Sequence, residues 1–467
     1  MNDATPEYSR ELVGFLAGLQ PQDLPAEVAD RARYFLLDYL AVALRGSREP
    51  SAAAVRRMVE RQGAPGCATV IGAGLRTMPA LAALANGASA HGIEMDDTHS
   101  GGSLHLGAVM YSAALALAEA NPETPPDQFF TAVVAGYEAA ARIAMAVQPS
   151  EHYRLGFHPT ATCGAFGAAV TAAKLLGLTP EPMRAALGIA GSMAAGSMEF
   201  LAEGAWTKRL HPGLAAQNGI QAALLAAEGF TGPARILEGR DGFLAGHSRS
   251  PIPERLTADL GRSFEILHTA VKPHACCRYM QGPIDAILEL ARRHDLQPDS
   301  VRAIEVAVLE AGWGIVAEPR AQKYHPENTV DAQFSMPFGA AVAVLHRAAG
   351  LGQFTLDNIR SPRVRNLMAK VVLVKDRRLE ENFPREWPAR ISIELMDGRQ
   401  YEQSVRYPKG DPQNPLSWDE MAAKFRSLAG AVLSPERCSQ IIALVSQANP
   451  ATLPALCAET ASIPAGR

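Results

Sequence analysis

Residues 389–407 read Ala389-Arg-Ile-Ser-Ile-Glu-Leu395-Met-Asp397-Gly398-Arg-Gln-Tyr401-Glu-Gln-Ser-Val-Arg-Tyr407. Apolar and polar residues alternate on both sides of Asp397-Gly398, a dipeptide favoured in tight hairpins because it tolerates positive φ. A period of two is a strand signal. The stretch therefore predicts a β-hairpin inside a chain that otherwise reads as helical, and it decides the fold class: mainly α with an α+β insert.

Outward from the hairpin, Val301 to Val308 alternates in the same manner and residues 368–376 give another β-rich run. Helices fit among them at 281–293 and 328–348. The texture changes near residue 264, and Pro408-Lys-Gly-Asp-Pro-Gln-Asn-Pro415 closes the segment. This is an α/β domain over 268–410, roughly 140 residues, an ordinary domain size. Both flanks are helical. Leu12, Phe15, Leu16 and Leu19 mark one helical face, and Val28, Ala32, Phe35, Leu36 and Tyr39 another. Residues 78–91, 107–120, 128–146, 160–176, 181–198 and 212–228 are Ala-rich and helix-compatible, and a further helix is expected from about 417 to 448. The expected architecture is a discontinuous all-helical domain, 1–267 with 411–467, interrupted by the smaller α/β domain.

The chain has 467 residues, 48% of them hydrophobic, enough for a large core. Net charge is −4 with both signs mixed, which argues against a nucleic-acid groove or a polybasic membrane face. No charged segment leads into an apolar core at Met1-Asn-Asp-Ala-Thr-Pro-Glu7, and no apolar run is read as both long enough and clean enough to span a bilayer. Cysteines at 67, 163, 276, 277, 438 and 457 form no CxxC pair, so a cytoplasmic chain with reduced thiols is expected and no spacing supports an Fe–S cluster. Ile71-Gly72-Ala73-Gly74 has a GxG without the third glycine of a dinucleotide site, and neither a Walker A motif nor a GxSxG elbow is present.

Four segments are candidates for carrying chemistry. In His91-Gly-Ile-Glu94-Met-Asp96-Asp97-Thr98-His99-Ser-Gly-Gly-Ser-Leu-His105, three imidazoles and three carboxylates crowd into fifteen residues. Such groups build either a metal site or an acid–base site; the spacing HxxxxDDxHxxxxxH matches no HExxH pattern, so acid–base work is preferred over metal. The reading places a helix C-terminus through Glu94, Asp96, Asp97 and His99, broken at Gly101-Gly102. A capped helix end with surface carboxylates is the structural alternative. His158 precedes Pro159 and a small-residue helix, where the helix dipole disfavours its charged form; a core-edge histidine is the alternative. Lys208, in Trp206-Thr-Lys208-Arg-Leu-His211-Pro, could hold a carboxylate or act as a base, or belong to a solvated basic turn. His274 and Arg278, in Lys272-Pro-His274-Ala-Cys276-Cys277-Arg278, lie at the insert boundary, where Arg278 could grip a carboxylate or simply pack at a hinge.

Taken in order, these segments resemble the MmgE/PrpD family. The matching text is Leu36-Leu-Asp38-Tyr-Leu, His91 to Thr98 with His105, Gly156-Phe-His158-Pro-Thr, Lys208 with Asn218-Gly219-Ile, Lys272 to Arg278, and Asp331-Ala-Gln-Phe334-Ser-Met-Pro337. The resemblance covers nearly the whole chain. It implies a helical domain built from both ends, an α/β lid, a homodimer, and chemistry without cofactor or metal on a small carboxylate. Family activities include dehydration of 2-methylcitrate, decarboxylation of cis-aconitate and epimerisation of iminodisuccinate. It carries pocket roles onto Glu94, Thr98, His105, His158 and Lys208. Glu94 stands where aspartate is usual, His105 is displaced by one position, and His274, Cys277 and Gln281 all lie near the family's boundary histidine.

The resulting expectation is a lyase acting beside a carboxylate, with His105 and His158 as acid and base in an open order. Lys208 and Arg278 would bind carboxylates, Thr98 and His274 would contact substrate, and Glu94 and Asp97 would orient an imidazole. An epimerase using the same residues is the alternative. A non-catalytic carboxylate-binding protein is disfavoured, because anion binding needs cations rather than paired acids and bases.

Overall fold

A computed structural model describes residues 7–447 and 452–461. Residues 1–6, read above for a targeting signal, and the chain end after 461 lie outside the described residues. Two compact units divide the chain. The first comprises Met1–Met198, Thr207–Thr269 and Ser417–Arg467; the second comprises Glu199–Trp206 and Ala270–Leu416.

The first unit is helical. Its centre is built from α1 (Ala26–Gly46), α2 (Pro79–Ala90), α3 (Gly107–Ala120), α4 (Pro126–Val147), α5 (Pro159–Leu175) and α6 (Thr207–Ala227). Proline opens α2, α4 and α5, where its fixed φ suits the first turn and its missing N–H costs nothing. Helix α5 is buried from Pro159 to Ala173, as a core helix that is apolar on all sides must be. It packs against α4, α3 and α6, and α6 also packs on α2. Helix α4 is long and apolar enough to cross a bilayer, a case the sequence reading did not admit. Here it lies buried in the unit, with Glu138 and Arg142 paired along it at 2.9 Å.

Two glycines fix the crossing that builds the site. A Cβ on Gly87 of α2 would lie 2.7 Å from Gly213 Cα, and one on Gly213 of α6 would overlap the Leu84 carbonyl oxygen. Only backbone-to-backbone contact lets these helices come so close. The crossing sets the end of α2, which leads into His91, beside the start of α6, which carries Lys208.

Several boundaries differ from the sequence reading. Helix α2 stops at Ala90 with His91 as its C-cap, so residues 91–97 form a turn rather than a helix end. Glu94 there has φ +58°, a left-handed conformation that no continuing helix allows. The helix expected over 181–198 ends at Gly191, and that expected over 417–448 is two, Trp418–Ala429 and Pro435–Gln447. Helix α6 begins at Thr207, with Pro212 inside it, so Lys208 sits in its first turn and not ahead of it. Ile71 to Gly74 joins two short paired strands, Ala68–Val70 and Leu75–Thr77, with Gly72 and Gly74 at positive φ.

The second unit holds a four-stranded sheet of β1 (Val301–Ala307), β2 (Val371–Val374), β3 (Ala389–Leu395) and β4 (Gln400–Val405) in the order β2-β1-β3-β4. Strands β1 and β2 run parallel; β1–β3 and β3–β4 are antiparallel. The β3–β4 hairpin turns through Asp397-Gly398 with Gly398 at φ +86°. Helix α7 (Gln281–Arg293) covers β3 and β4, and α8 (Met336–His346) packs on α7. The fold is thus mainly helical with an α+β insert. Residues 199–206, assigned to the helical domain by sequence, group with the second unit, where Leu201 O accepts from Gln322 Nε2 at 3.2 Å.

Candidate active site

Within the first unit the turn after α2, the loop before α3, the start of α5 and the first turn of α6 bring Glu94, Thr98, His105, His158 and Lys208 together. All five are buried. Lys208 Nζ lies 2.9 Å from His91 Nε2 and forms an ion pair with Glu94. His91 Nδ1 lies 2.6 Å from Asp96 Oδ2. An ammonium can only donate, so His91 Nε2 accepts, and the ring proton sits on Nδ1 and is donated to Asp96. Asp96, His91 and Lys208 thus form one hydrogen-bonded line.

His105 has its own constraint. Its Nδ1 lies 2.8 Å from the Asp97 carbonyl oxygen, 3.3 Å from Thr98 Oγ1 and 3.3 Å from Asp96 Oδ2. A carbonyl only accepts, so His105 carries its proton on Nδ1, which leaves the lone pair of the neutral ring on Nε2. The His105 N–H donates to Thr160 Oγ1 at 3.1 Å, tying the loop to the first turn of α5.

His158 caps α5, and its Nδ1 lies 3.0 Å from Nδ1 of His211. Two neutral rings in this arrangement share one hydrogen. When His211 holds it, the His158 proton is on Nε2; when His158 holds it, Nε2 carries a lone pair. Burial pushes the His158 pKa well below the usual histidine value, with His211 and Lys208 adding repulsion. Burial likewise brings His211 down to about 3 and lowers His91 despite the Asp96 carboxylate. The His91, His105 and His158 ring centroids are 4.5–6.4 Å apart.

Two orienting roles differ from expectation. The Asp97 carboxylate does not touch an imidazole: Oδ1 accepts from Gly107 N at 2.8 Å, anchoring the start of α3, and Oδ2 accepts from Tyr137 Oη at 2.7 Å. Asp97 reaches His105 only through its backbone carbonyl. Burial pushes its carboxyl up to about 8, against the Tyr137 hydrogen bond. Glu94 is ion-paired with Lys208, and its Oε1 lies 3.8 Å from His91 Nε2. The orienting carboxylate is Asp96; sequence reasoning had left Asp96 and His91 to support the helix end, and it passed over His211. Its signal was available: on a helix, positions 208 and 211 share a face. His99 takes no part in the cluster. It accepts from Gly102 N at 2.9 Å and donates to Glu265 at 3.0 Å, which fixes its loop.

Residues 10–255 match the MmgE/PrpD N-terminal domain and residues 274–448 the MmgE/PrpD C-terminal domain. The chain belongs to the MmgE/PrpD family. It is 31% identical to the cis-aconitate decarboxylase-like protein oryM of Aspergillus oryzae, over 94% of this chain and 95% of that protein. It is 31% identical to the cis-aconitate decarboxylase of Aspergillus terreus, over 95% and 94%, and 27% identical to that of Homo sapiens, over 92% and 89%. This MmgE/PrpD protein is accordingly an enzyme, of the family's lyase or epimerase type.

The remaining candidates of this MmgE/PrpD chain lie in the second unit, where each has a partner of its own. Arg278 is ion-paired with Asp411 and stacks over the Trp387 ring at 4.5 Å. His274 Nε2 lies 2.8 Å from Asp285 Oδ1. Gln281 bridges the turn, accepting from His274 N at 3.1 Å and donating to the Cys276 carbonyl at 3.0 Å. These contacts shape the segment 274–281 itself.

Proposed function

We propose that this enzyme is a cofactor-independent lyase acting beside a carboxylate of a small di- or tricarboxylic acid, in the manner of a cis-aconitate decarboxylase. The supporting observation is a buried lysine against His91, in a cluster where burial lowers the pKa of His91, His158 and His211 and each ring has a defined partner behind it. Lys208 holds the substrate carboxylate and stabilises the enolate-like charge that forms as the adjacent bond breaks. His105 is the base, because the Asp97 carbonyl fixes its proton on Nδ1 and directs the Nε2 lone pair elsewhere. His158 is the acid, with its Nε2 proton held in place while His211 donates to Nδ1. In decarboxylation, carbon dioxide leaves and the His158 proton reaches carbon; water restores it. In dehydration, His105 takes the carbon-bound proton and His158 protonates the departing hydroxyl.

The His158–His211 pair also favours a second reading, epimerisation. One shifted hydrogen turns His158 from donor to acceptor, so His105 and His158 would remove and return a proton at one carbon. The two are separated by incubating the chelator-treated enzyme in deuterated water with a panel of di- and tricarboxylates, followed by NMR. Carbon dioxide release or new vinyl signals support the lyase; deuterium exchange without loss of a group supports the epimerase. Binding without reaction across the panel would overturn both.

A further inference from the structure

The cluster has the composition of a cation site whose occupant is a side chain. One ring nitrogen from each of His91, His105 and His158 lies within 4.8 Å of the other two. Glu94 Oε1 lies 3.8 Å from His91 Nε2. Lys208 Nζ stands against both: 2.9 Å from His91 Nε2 and ion-paired with Glu94. Imidazole nitrogens and a carboxylate oxygen are among the donors that bind zinc in four-coordinate sites. Each ring is also held from behind at Nδ1: His91 by Asp96 at 2.6 Å, His105 by the Asp97 carbonyl at 2.8 Å, and His158 by His211 at 3.0 Å. Ligating histidines are oriented in this way, by a carboxylate, carbonyl or similar partner on the second nitrogen.

We infer that His91, His105, His158 and Glu94 form a latent transition-metal site in which the Lys208 ammonium takes the place of the ion. Metal and ammonium compete for His91 Nε2 and Glu94, and two cations so close repel each other. A zinc-class ion therefore binds only by displacing Lys208, and its binding inhibits the enzyme. Occupancy of these donors does not depend on the acid–base reading, whereas the inhibition rests on it.

The test is a titration of chelator-stripped protein with cobalt(II), read by the visible bands of four-coordinate cobalt. Lys208→Met removes the competing charge and should bind one equivalent at least about tenfold more tightly than wild type, the scale on which a group beside a metal site shifts affinity. Lys208→Arg keeps a cation and should show no gain, and adding His91→Asn to Lys208→Met should abolish the band. Equal affinity in Lys208→Met and wild type overturns the inference. So does a band that survives His91→Asn, or a thiolate-to-cobalt charge-transfer band that places the ion on cysteine. A second measurement needs no variant: zinc should inhibit the wild-type enzyme reversibly, with chelator restoring activity and magnesium without effect; zinc that displaces cobalt from the cluster yet leaves turnover unchanged overturns the inhibition, and zinc that fails to displace it overturns the site. The cobalt titration reads no turnover, so its outcome is separate from that of the acid–base assignment.

Discussion

Replacing His211 tests the pairing that gives His158 its role. In His211→Ala, His158 Nδ1 loses the partner now 3.0 Å away. In His211→Asn, a side-chain amide can again donate to that atom. General acid catalysis contributes about 10²–10⁴-fold, so Ala should cost turnover at the lower end of that range, about 10²-fold, and Asn should recover part of it. A purely structural role would not separate the two variants in kcat at matched stability. The same residue has a signature in stability. Its pKa is about 3 in the fold against about 6.5 in an unfolded chain. The lowered value means that the unfolded state takes up the proton first. Stability is full above about pH 6.5 and is lost as pH falls toward 3. At pH 5 the loss from this one ring is the pH distance of 1.5 times 1.36 kcal/mol, about 2 kcal/mol. Urea unfolding at pH 8 and pH 5 measures it: the gap between wild type and His211→Ala should narrow by about 2 kcal/mol at the lower pH. An unchanged gap, together with equal turnover in the Ala and Asn variants, would show that His211 neither resists protonation in the fold nor orients His158.

Other outcomes follow from the same contacts. Gly213→Ala forces a methyl into the Leu84 carbonyl; overpacking of this kind costs about 1–3 kcal/mol, and by moving α6 off α2 it should also reduce turnover, read by thermal melts and kinetics together. Asp97, with its carboxyl raised to about 8, favours the fold while protonated, so its contribution is present at acid pH and is lost as pH rises through 8. Asp97→Asn should remove about 2 kcal/mol of the stability loss between pH 6 and pH 8, seen as a flatter pH profile of unfolding. In the second unit, Asp411→Asn strips the buried Arg278 of its counter-charge and should destabilise by about 3–5 kcal/mol, measured by denaturant unfolding.

The hairpin at Asp397-Gly398 and the Ala-rich helices were legible because period and turn chemistry are local properties. The turn at 91–97 was not. His91/Met95 and Glu94/Thr98 are spaced as on a helix, yet Glu94 takes a left-handed conformation within a buried ion pair, a tertiary choice that spacing does not encode. Residues 199–206 were misplaced for a similar reason: their membership in the second unit depends on contacts such as Leu201 with Gln322, far apart in sequence. Dense titratable groups marked the 91–105 segment, and the family resemblance singled out Glu94, Thr98, His105, His158 and Lys208 as pocket positions. Which atom of each ring carries its proton required the Asp97 carbonyl and His211, and both are visible only once α5 and α6 are side by side.

In the proposed reaction His158 and Lys208 perform the chemistry rather than hold the fold. The direct measurement is kcat/KM of Lys208→Met and His158→Gln, with chelator present, on whichever di- or tricarboxylate the wild-type enzyme turns over. Losses of at least about 10²-fold are expected in each, in proteins whose melting temperatures stay near that of wild type. Near-normal turnover in both variants would contradict that assignment.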